Sequence, residues 1–120
     1  IRNGKWIEYS QLGNKLEEGK LKEGKKEGMW TFYGKRGEPV RKQNFKNHLP
    51  SGKWIEYYPN GLKQREGSYD NLVKTGIWTF YDEKGKITYQ VLYKEGIISK
   101  VLVDVKPENK NSSEINSKLR

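Results

Sequence analysis

Gly52-Lys53-Trp54-Ile55-Glu56-Tyr57-Tyr58-Pro59-Asn60-Gly61 decides the fold, because the chain keeps rewriting it. Its first six residues return as Gly4-Lys5-Trp6-Ile7-Glu8-Tyr9, as Gly28-Met29-Trp30-Thr31-Phe32-Tyr33 and as Gly76-Ile77-Trp78-Thr79-Phe80-Tyr81, always 24 residues apart. A second glycine column keeps the same step at Gly13, Gly37, Gly61 and Gly85, and an apolar column follows it at Leu21, Phe45, Tyr69 and Tyr93. A fixed period of roughly 20–50 residues is the mark of a repeat array.

Within one unit the pattern is that of a hairpin. Trp54 to Tyr58 alternates large and polar residues and predicts a strand. Pro59-Asn60-Gly61 is a turn signal, with glycine free to take positive φ. Leu62 to Tyr69 predicts the return strand, and a looser turn around Asp70 to Thr75 leads to the next unit. The fourth unit carries the clearest alternation, at Ile87, Tyr89, Val91 and Tyr93. Pro39 in the second unit belongs at a strand start or an unpaired position, because proline has no N–H to donate. The first unit is the weakest, since Gly19 and Gly24 interrupt its return strand, and fraying is expected there.

A rhythm of 48 residues overlies the shorter one: units one and three read Gly-Lys-Trp-Ile-Glu-Tyr, units two and four Gly-x-Trp-Thr-Phe-Tyr. Across the sheet this sets Glu8, Phe32, Glu56 and Phe80 in turn, which keeps glutamates from stacking on one another. Duplication of a two-hairpin block explains the rhythm equally well. The expected fold is all-β: one elongated antiparallel sheet of about four stacked 24-residue hairpins plus a C-terminal strand. The array spans residues 1–98, in units 4–27, 28–51, 52–75 and 76–99. A capping strand covers 99–106 and a flexible polar tail 107–120. The start at Ile1, with the array already in phase, reads as a processed or trimmed chain whose natural form extends upstream.

Composition fits a thin sheet. Hydrophobic residues make up 32% of the 120 residues and charged residues another 32%, a balance that leans toward disorder. Four Trp and eight Tyr at regular positions argue the other way, because each large aromatic buries roughly 150–250 Å². There is no Cys, which excludes disulfides and thiolate metal sites. No apolar run approaches the roughly 20 residues of a membrane-spanning helix.

Two constellations offer themselves as binding sites. Trp6, Trp30, Trp54 and Trp78 form a ladder whose members stand about 10 Å apart if each hairpin adds two strands at about 4.8 Å; Tyr58 adds a second aromatic in the third unit. Such a ladder is either a stacking platform for sugars, bases or peptide, or the thin core itself, and the shortage of other apolar residues favours the core. The Tyr9, Tyr33, Tyr57 and Tyr81 column lies three residues on, which places it on the opposite face unless a bulge intervenes. The charge of +9 gathers in the second unit, where Lys35, Arg36, Arg41, Lys42 and Lys46 face only Glu38. That patch is suited to anionic lipid, nucleic acid or acidic protein, or is a solvated face that guards sheet edges from aggregation.

No catalytic or metal constellation is legible, and no cofactor is expected. His48 is the only histidine and reads as an exposed loop residue; a triad needs a base oriented by a third group. The glycine columns do not lead into a helix as phosphate-binding loops do; they read as turn and strand-start positions.

The pattern Gly-x-Trp-x-x-Tyr-(Tyr)-x-x-Gly, followed by a return strand ending in Tyr, resembles the bacterial variant of the MORN repeat over roughly residues 4–98, best at Gly52 to Tyr69. Leu21 and Phe45 depart from the return-strand Tyr; Ser10, Gly34 and Asp82 depart from the second Tyr of the pair. The resemblance implies stacked hairpins and a non-enzymatic protein-binding or scaffold role. Some similar proteins are grouped as YwqK-type antitoxins that neutralise a partner toxin, and others are exported or envelope-associated. It thus implies a protein partner and favours the cell envelope or exterior, or the cytoplasm for an antitoxin. Anionic lipid, met through the basic second unit, is the alternative partner, and nucleic acid ranks below both. The uncovered edge of the first unit also permits edge-strand self-association.

Overall fold

A computed structural model of the protein describes residues 2–105; the expected tail at 107–120 lies outside them. Among the described residues nine strands follow one another: β1 (Gly4–Tyr9), β2 (Lys15–Lys22), β3 (Lys25–Tyr33), β4 (Pro39–Lys46), β5 (Leu49–Tyr57), β6 (Lys63–Asp70), β7 (Val73–Tyr81), β8 (Ile87–Lys94) and β9 (Ile97–Asp104). They form one open antiparallel sheet in sequence order, each strand paired only with its neighbours in the chain. The sheet is 66 × 37 × 20 Å, with a radius of gyration of 18.3 Å. A compact domain of 100 residues has roughly 13 Å. Elongation follows from the order: among the described residues no strand returns across the sheet to close a second layer.

The two kinds of turn exchange the roles that the sequence suggested for them. The Gly13, Gly37, Gly61 and Gly85 turns are the longer ones, five-residue loops with one shared pair of backbone bonds. In the third unit Tyr58 N donates to Leu62 O at 2.8 Å and Gly61 N to Tyr58 O at 2.9 Å; the loops at Ser10, Gly34 and Asp82 repeat both bonds. The junctions between units are the tight ones. Glu23-Gly24, Asn47-His48, Asn71-Leu72 and Glu95-Gly96 all hold two successive residues at positive φ, the signature of a two-residue type I′ turn. The strands therefore begin earlier than the glycine column: β5 starts at Leu49 and β7 at Val73. Gly28, Gly52 and Gly76 lie inside their strands, at φ of 77°, 88° and 71°. There the chain bulges against the preceding strand, as where Gly67 alone spans the step from Thr79 to Thr75.

A second bulge sits on every return strand. Leu16, Val40, Gln64 and Thr88 are the extra residues in pairs that jump from Glu8↔Glu17 to Tyr9↔Lys15 and from Phe80↔Tyr89 to Tyr81↔Ile87. Because these bulges fall on the return strand, alternation along the Trp–Tyr strand is undisturbed. Thr31 is paired with Glu18, and Tyr33 bonds to Glu18, so Tyr33 lies on the face opposite Trp30. The two aromatic columns occupy different faces. Pro39 opens β4, where its missing N–H costs nothing.

The core lies mostly on the Trp face and is one side chain thick. Trp30 and Trp78 are 0% and 1% exposed, and Phe45, Val91 and Gln43 are buried with them; Ile55 and Thr79 are buried on the other face. A single sheet can bury an indole completely because of the glycines beneath it. A Cβ at Gly19 would stand 2.3 Å from Trp30, and one at Gly67 would stand 2.0 Å from Trp78. Each indole lies flat in a seat that only glycine provides, and donates Nε1–H to a backbone carbonyl at 3.0 Å, of Lys20 or Ser68. Aromatic edges close the sides: Phe45 against Trp30 at 6.5 Å, Tyr69 and Tyr93 against Trp78 at 5.3 and 6.2 Å. A lysine covers the outer face, Lys26 Nζ at 4.8 Å from Trp30 and Lys74 Nζ at 4.9 Å from Trp78. Gly19 is thus a packing requirement, and β2 runs unbroken from Lys15 to Lys22 where fraying was expected. Gly19 and Gly67 are 48 residues apart, so the longer rhythm has a physical cause in addition to charge spacing. Charge spacing itself is incomplete, since Glu8 sits directly opposite Glu17 and Lys26 neutralises Glu17 at 3.2 Å.

Candidate binding surface

The four tryptophans are not equivalent. Trp30 and Trp78 are enclosed, which leaves only Trp6 and Trp54 partly open to solvent. Trp54 has Arg41 over its ring at 4.9 Å and Tyr69 beside it at 5.3 Å, and it donates Nε1–H to Glu56 at 3.0 Å. Arg2 covers Trp6 at 4.2 Å. Tyr69 sits between Trp54 and Trp78, 5.3 Å from each, so the ladder is continuous there, as packing and not as an open row of faces. Tyr58 is committed too. Its hydroxyl donates to the carbonyl of Tyr81 at 2.6 Å, and Asn60 Nδ2 donates to that of Glu83 at 2.9 Å. The pair ties the loop of the third unit to the fourth.

The basic residues of the second unit are dispersed. Lys35 and Arg36 stand on the β3–β4 loop. Arg41 and Lys42 alternate to opposite faces, and Lys46 lies at the far end of β4. Arg41 is a structural cation: its guanidinium lies 4.3 Å from the Phe32 ring as well as over Trp54, with Nε buried and unbonded. His48 is exposed at φ 71°, where its Nδ1 accepts from Lys26 N at 3.3 Å.

A pair of clusters on the Tyr face had no counterpart in the sequence reading. Tyr33 donates its hydroxyl to Glu18, with Lys5 and Lys15 at 3.9 and 3.5 Å from the same carboxylate. Forty-eight residues on, Tyr81 donates to Glu66 at 2.5 Å, with Lys53 and Lys63 at 3.9 and 3.2 Å. The hydrogen bond from Tyr33, with help from Lys15 and Lys5, lowers the Glu18 pKa. Burial pushes Glu66 up, but the bonds from Tyr81 and Lys63 outweigh it and leave its pKa low. Both phenols are pushed up to about 12: Tyr33 chiefly by its bond to Glu18, Tyr81 chiefly by burial and then by its bond to Glu66. Every residue of the first cluster reappears in the second, and that recurrence was the available signal. These are paired, satisfied groups that staple neighbouring strands. Among the described residues no group of three or more His, Asp or Glu is placed to hold a metal ion.

Unpaired apolar surface concentrates at the C-terminal end of the array. In β9, Ile97, Ile98, Val101 and Leu102 are exposed, with Val105 just beyond; Ile97 is 72% exposed. Only Lys100 and Asp104 charge this strand, and it forms one edge of the sheet. Elsewhere exposed apolar residues include Met29 and Ile77 on the Tyr face, the adjacent Leu72 and Val73 at a unit junction, and Leu12 and Leu16 beside the first loop.

The hairpin of β5 and β6 and that of β7 and β8 thus share their loops, bulges and stacked aromatics at a 24-residue offset. Residues 50–71 and 74–95 each match the family model of the MORN repeat variant. No curated protein and no solved structure matches the chain. The loop bonds at Ser10 and Gly34 and the bulges at Leu16 and Val40 continue the geometry of the two matched stretches through the units before them. MORN repeats are associated with binding proteins or membranes rather than with catalysis.

Proposed function

We propose that this chain is a non-enzymatic binding module, a β-hairpin ribbon that scaffolds a protein partner docked at its β9 end. The observation that carries the reading is the run of exposed Ile97, Ile98, Val101, Leu102 and Val105 on an edge strand. The exposed apolar side chains line this strand on both faces, Ile98 and Val101 opposite Tyr93 and Val91 and Ile97 opposite Lys94, and an apolar strand at the end of a sheet order suits addition of a protein strand. The dispersal of Lys35, Arg36, Arg41, Lys42 and Lys46 over a loop, two faces and a strand end argues against a lipid-facing site on the second unit, which would need those charges on one side. An antitoxin or immunity role is the finer form of this reading. It entails a stoichiometric complex with a toxin domain at the same edge.

Affinity capture with tagged protein, at low and high salt and with both proteins and lipids read out, tests the proposal. The expected result is a protein retained at high salt and lost with Ile98→Lys, but kept with Lys35→Glu/Arg36→Glu. Recovery of anionic lipid alone, released by salt as screened surface charges require, would overturn it.

A further inference from the structure

The loop between β1 and β2 lacks the side chains by which the third unit holds its neighbour. Forty-eight residues before Tyr58 and Asn60, which bond the carbonyls of Tyr81 and Glu83, the chain has Ser10 and Leu12. The loop backbone is the same in both units: Ser10 N donates to Asn14 O at 2.7 Å and Gly13 N to Ser10 O at 3.0 Å, as Tyr58 and Gly61 do. Ser10 Oγ is turned into its own loop, where it accepts from Asn14 N at 3.2 Å, and the Leu12 side chain has nothing to donate. The carbonyl that corresponds to that of Tyr81 belongs to Tyr33. Gly34 N donates to Glu38 O at 2.8 Å, and across a trans peptide the carbonyl points the opposite way from the N–H. Tyr33 O is therefore aimed away from β4 and toward the β1–β2 loop. Asp82 N, bonded to Lys86 O at 2.8 Å, aims Tyr81 O in the same way, to where Tyr58 meets it.

A cleft of about 420 Å³ opens at that place, lined by Ser10, Leu12, Lys15, Leu16, Tyr33 and Lys35 among others. An apolar cavity of about 150 Å³ already takes benzene, so the space admits an aromatic ring. Its walls suit one. Leu12 and Leu16 stand where the third unit has Asn60 and Gln64, so the unit without the tyrosine has the apolar walls. Lys15 and Lys35 bring cations, which favour the face of an aromatic ring. The second unit also lacks the tyrosine, at Gly34, but there the Glu38 carboxylate fills the adjoining space and accepts from Arg36 N at 3.3 Å. The eight tyrosines of the chain lie in strands or at Tyr58, so a ring for this cleft comes from another molecule. We propose that the cleft between the β1–β2 and β3–β4 loops binds a tyrosine side chain of a protein partner, whose phenol donates to the Tyr33 carbonyl as Tyr58 donates to that of Tyr81. This site does not rest on the reading of β9, which lies at the other end of the strand order.

N-acetyl-tyrosinamide titrated into the full chain, with amide chemical shifts followed by NMR, tests the site. The amides of Leu12, Gly34 and Lys35 are expected to move saturably, with a dissociation constant of about 1 mM, ordinary for a group of this size on an open site. N-acetyl-phenylalaninamide, which has no hydroxyl to donate, binds about three- to tenfold more weakly. S10Y/L12N writes the side chains of the third unit into the first; it abolishes the shifts and raises Tm by about 2–8 °C. Leu16→Gln, the residue of the third unit at the same bulge, keeps the fold and weakens binding about threefold or more. No saturable shift up to about 10 mM (about ten times the expected constant), equal affinity for the tyrosine and phenylalanine amides, or shifts that persist in folded S10Y/L12N would overturn the inference. So would p-cresol bound while N-acetyl-tyrosinamide is excluded, which would assign the cleft to a free phenol. These titrations bear on the cleft alone; the β9 reading fails separately if capture returns only lipid.

Discussion

Replacing Gly67 with alanine sets a new methyl 2.0 Å from Trp78 Cδ2 and 2.1 Å from Cε2. These are ring atoms of a side chain that is 1% exposed, bonded to Ser68 O at 3.0 Å and flanked by Tyr69 and Tyr93, so the indole has no free direction of retreat. Were it expelled, burial of about 200 Å² at about 25 cal/mol/Å² would be lost, an upper limit of about 5 kcal/mol. Forced repacking without expulsion costs about 1–3 kcal/mol. Gly67 has an ordinary strand φ, so alanine also restricts the unfolded chain and returns about 0.4–1 kcal/mol. The expected net loss is about 2–4 kcal/mol. Urea unfolding followed by far-UV circular dichroism measures it, and hydrogen exchange locates it, since arrays loosen unit by unit. In a Trp78→Leu background the added penalty of Gly67→Ala falls below about 0.5 kcal/mol, the usual limit for uncoupled changes. A single variant as stable as the parent, or an equal cost in both backgrounds, would refute the seat.

Three further outcomes follow from the turns and the Tyr–Glu clusters. Leu72 is exposed and held at φ 72°, where the equivalent junctions use Gly24 and Gly96; Leu72→Gly raises stability by about 1 kcal/mol in a urea melt. Tyr58→Phe deletes the bond to Tyr81 O and lowers stability by about 0.5–1.5 kcal/mol, with exchange rising first at the β5–β6 and β7–β8 loops. For pH, the phenols of Tyr33 and Tyr81 are raised in the folded state to about 12. Their contribution is complete below the ordinary phenol value near 10 and is lost as pH climbs from there to about 12. Glu18 and Glu66 are lowered, so theirs is present above the ordinary carboxylate range and lost as pH falls below it. Tyr33→Phe/Tyr81→Phe flattens the alkaline limb of Tm against pH; an unchanged limb would show that the clusters do not couple folding to protonation.

The sequence by itself determined the unit, its length and its strand character. The 24-residue recurrence of Trp, Tyr and Gly marked a repeat array, and the alternation and turn residues within each unit marked its elements as strands. Alternation in Ile87–Tyr93 and the Gly61 loop were enough to place hairpins. Tertiary structure decided what crosses between strands. Gly19 looked like a flaw because glycine weakens a strand taken alone; its value appears only when Trp30, eleven residues away, lies on it. The same holds for Glu18 with Tyr33, and for Tyr58 with Tyr81, partners that meet by register and not by adjacency. The positions of the bulges were equally illegible, since one extra residue changes no local propensity yet redirects every pair beyond it. Strand alternation put Arg41 and Lys42 of the second unit on opposite faces, with Lys35 and Arg36 on the loop before β4 and Lys46 at its far end. Among the described residues, β9, an apolar run in sequence, became the last strand of the sheet order.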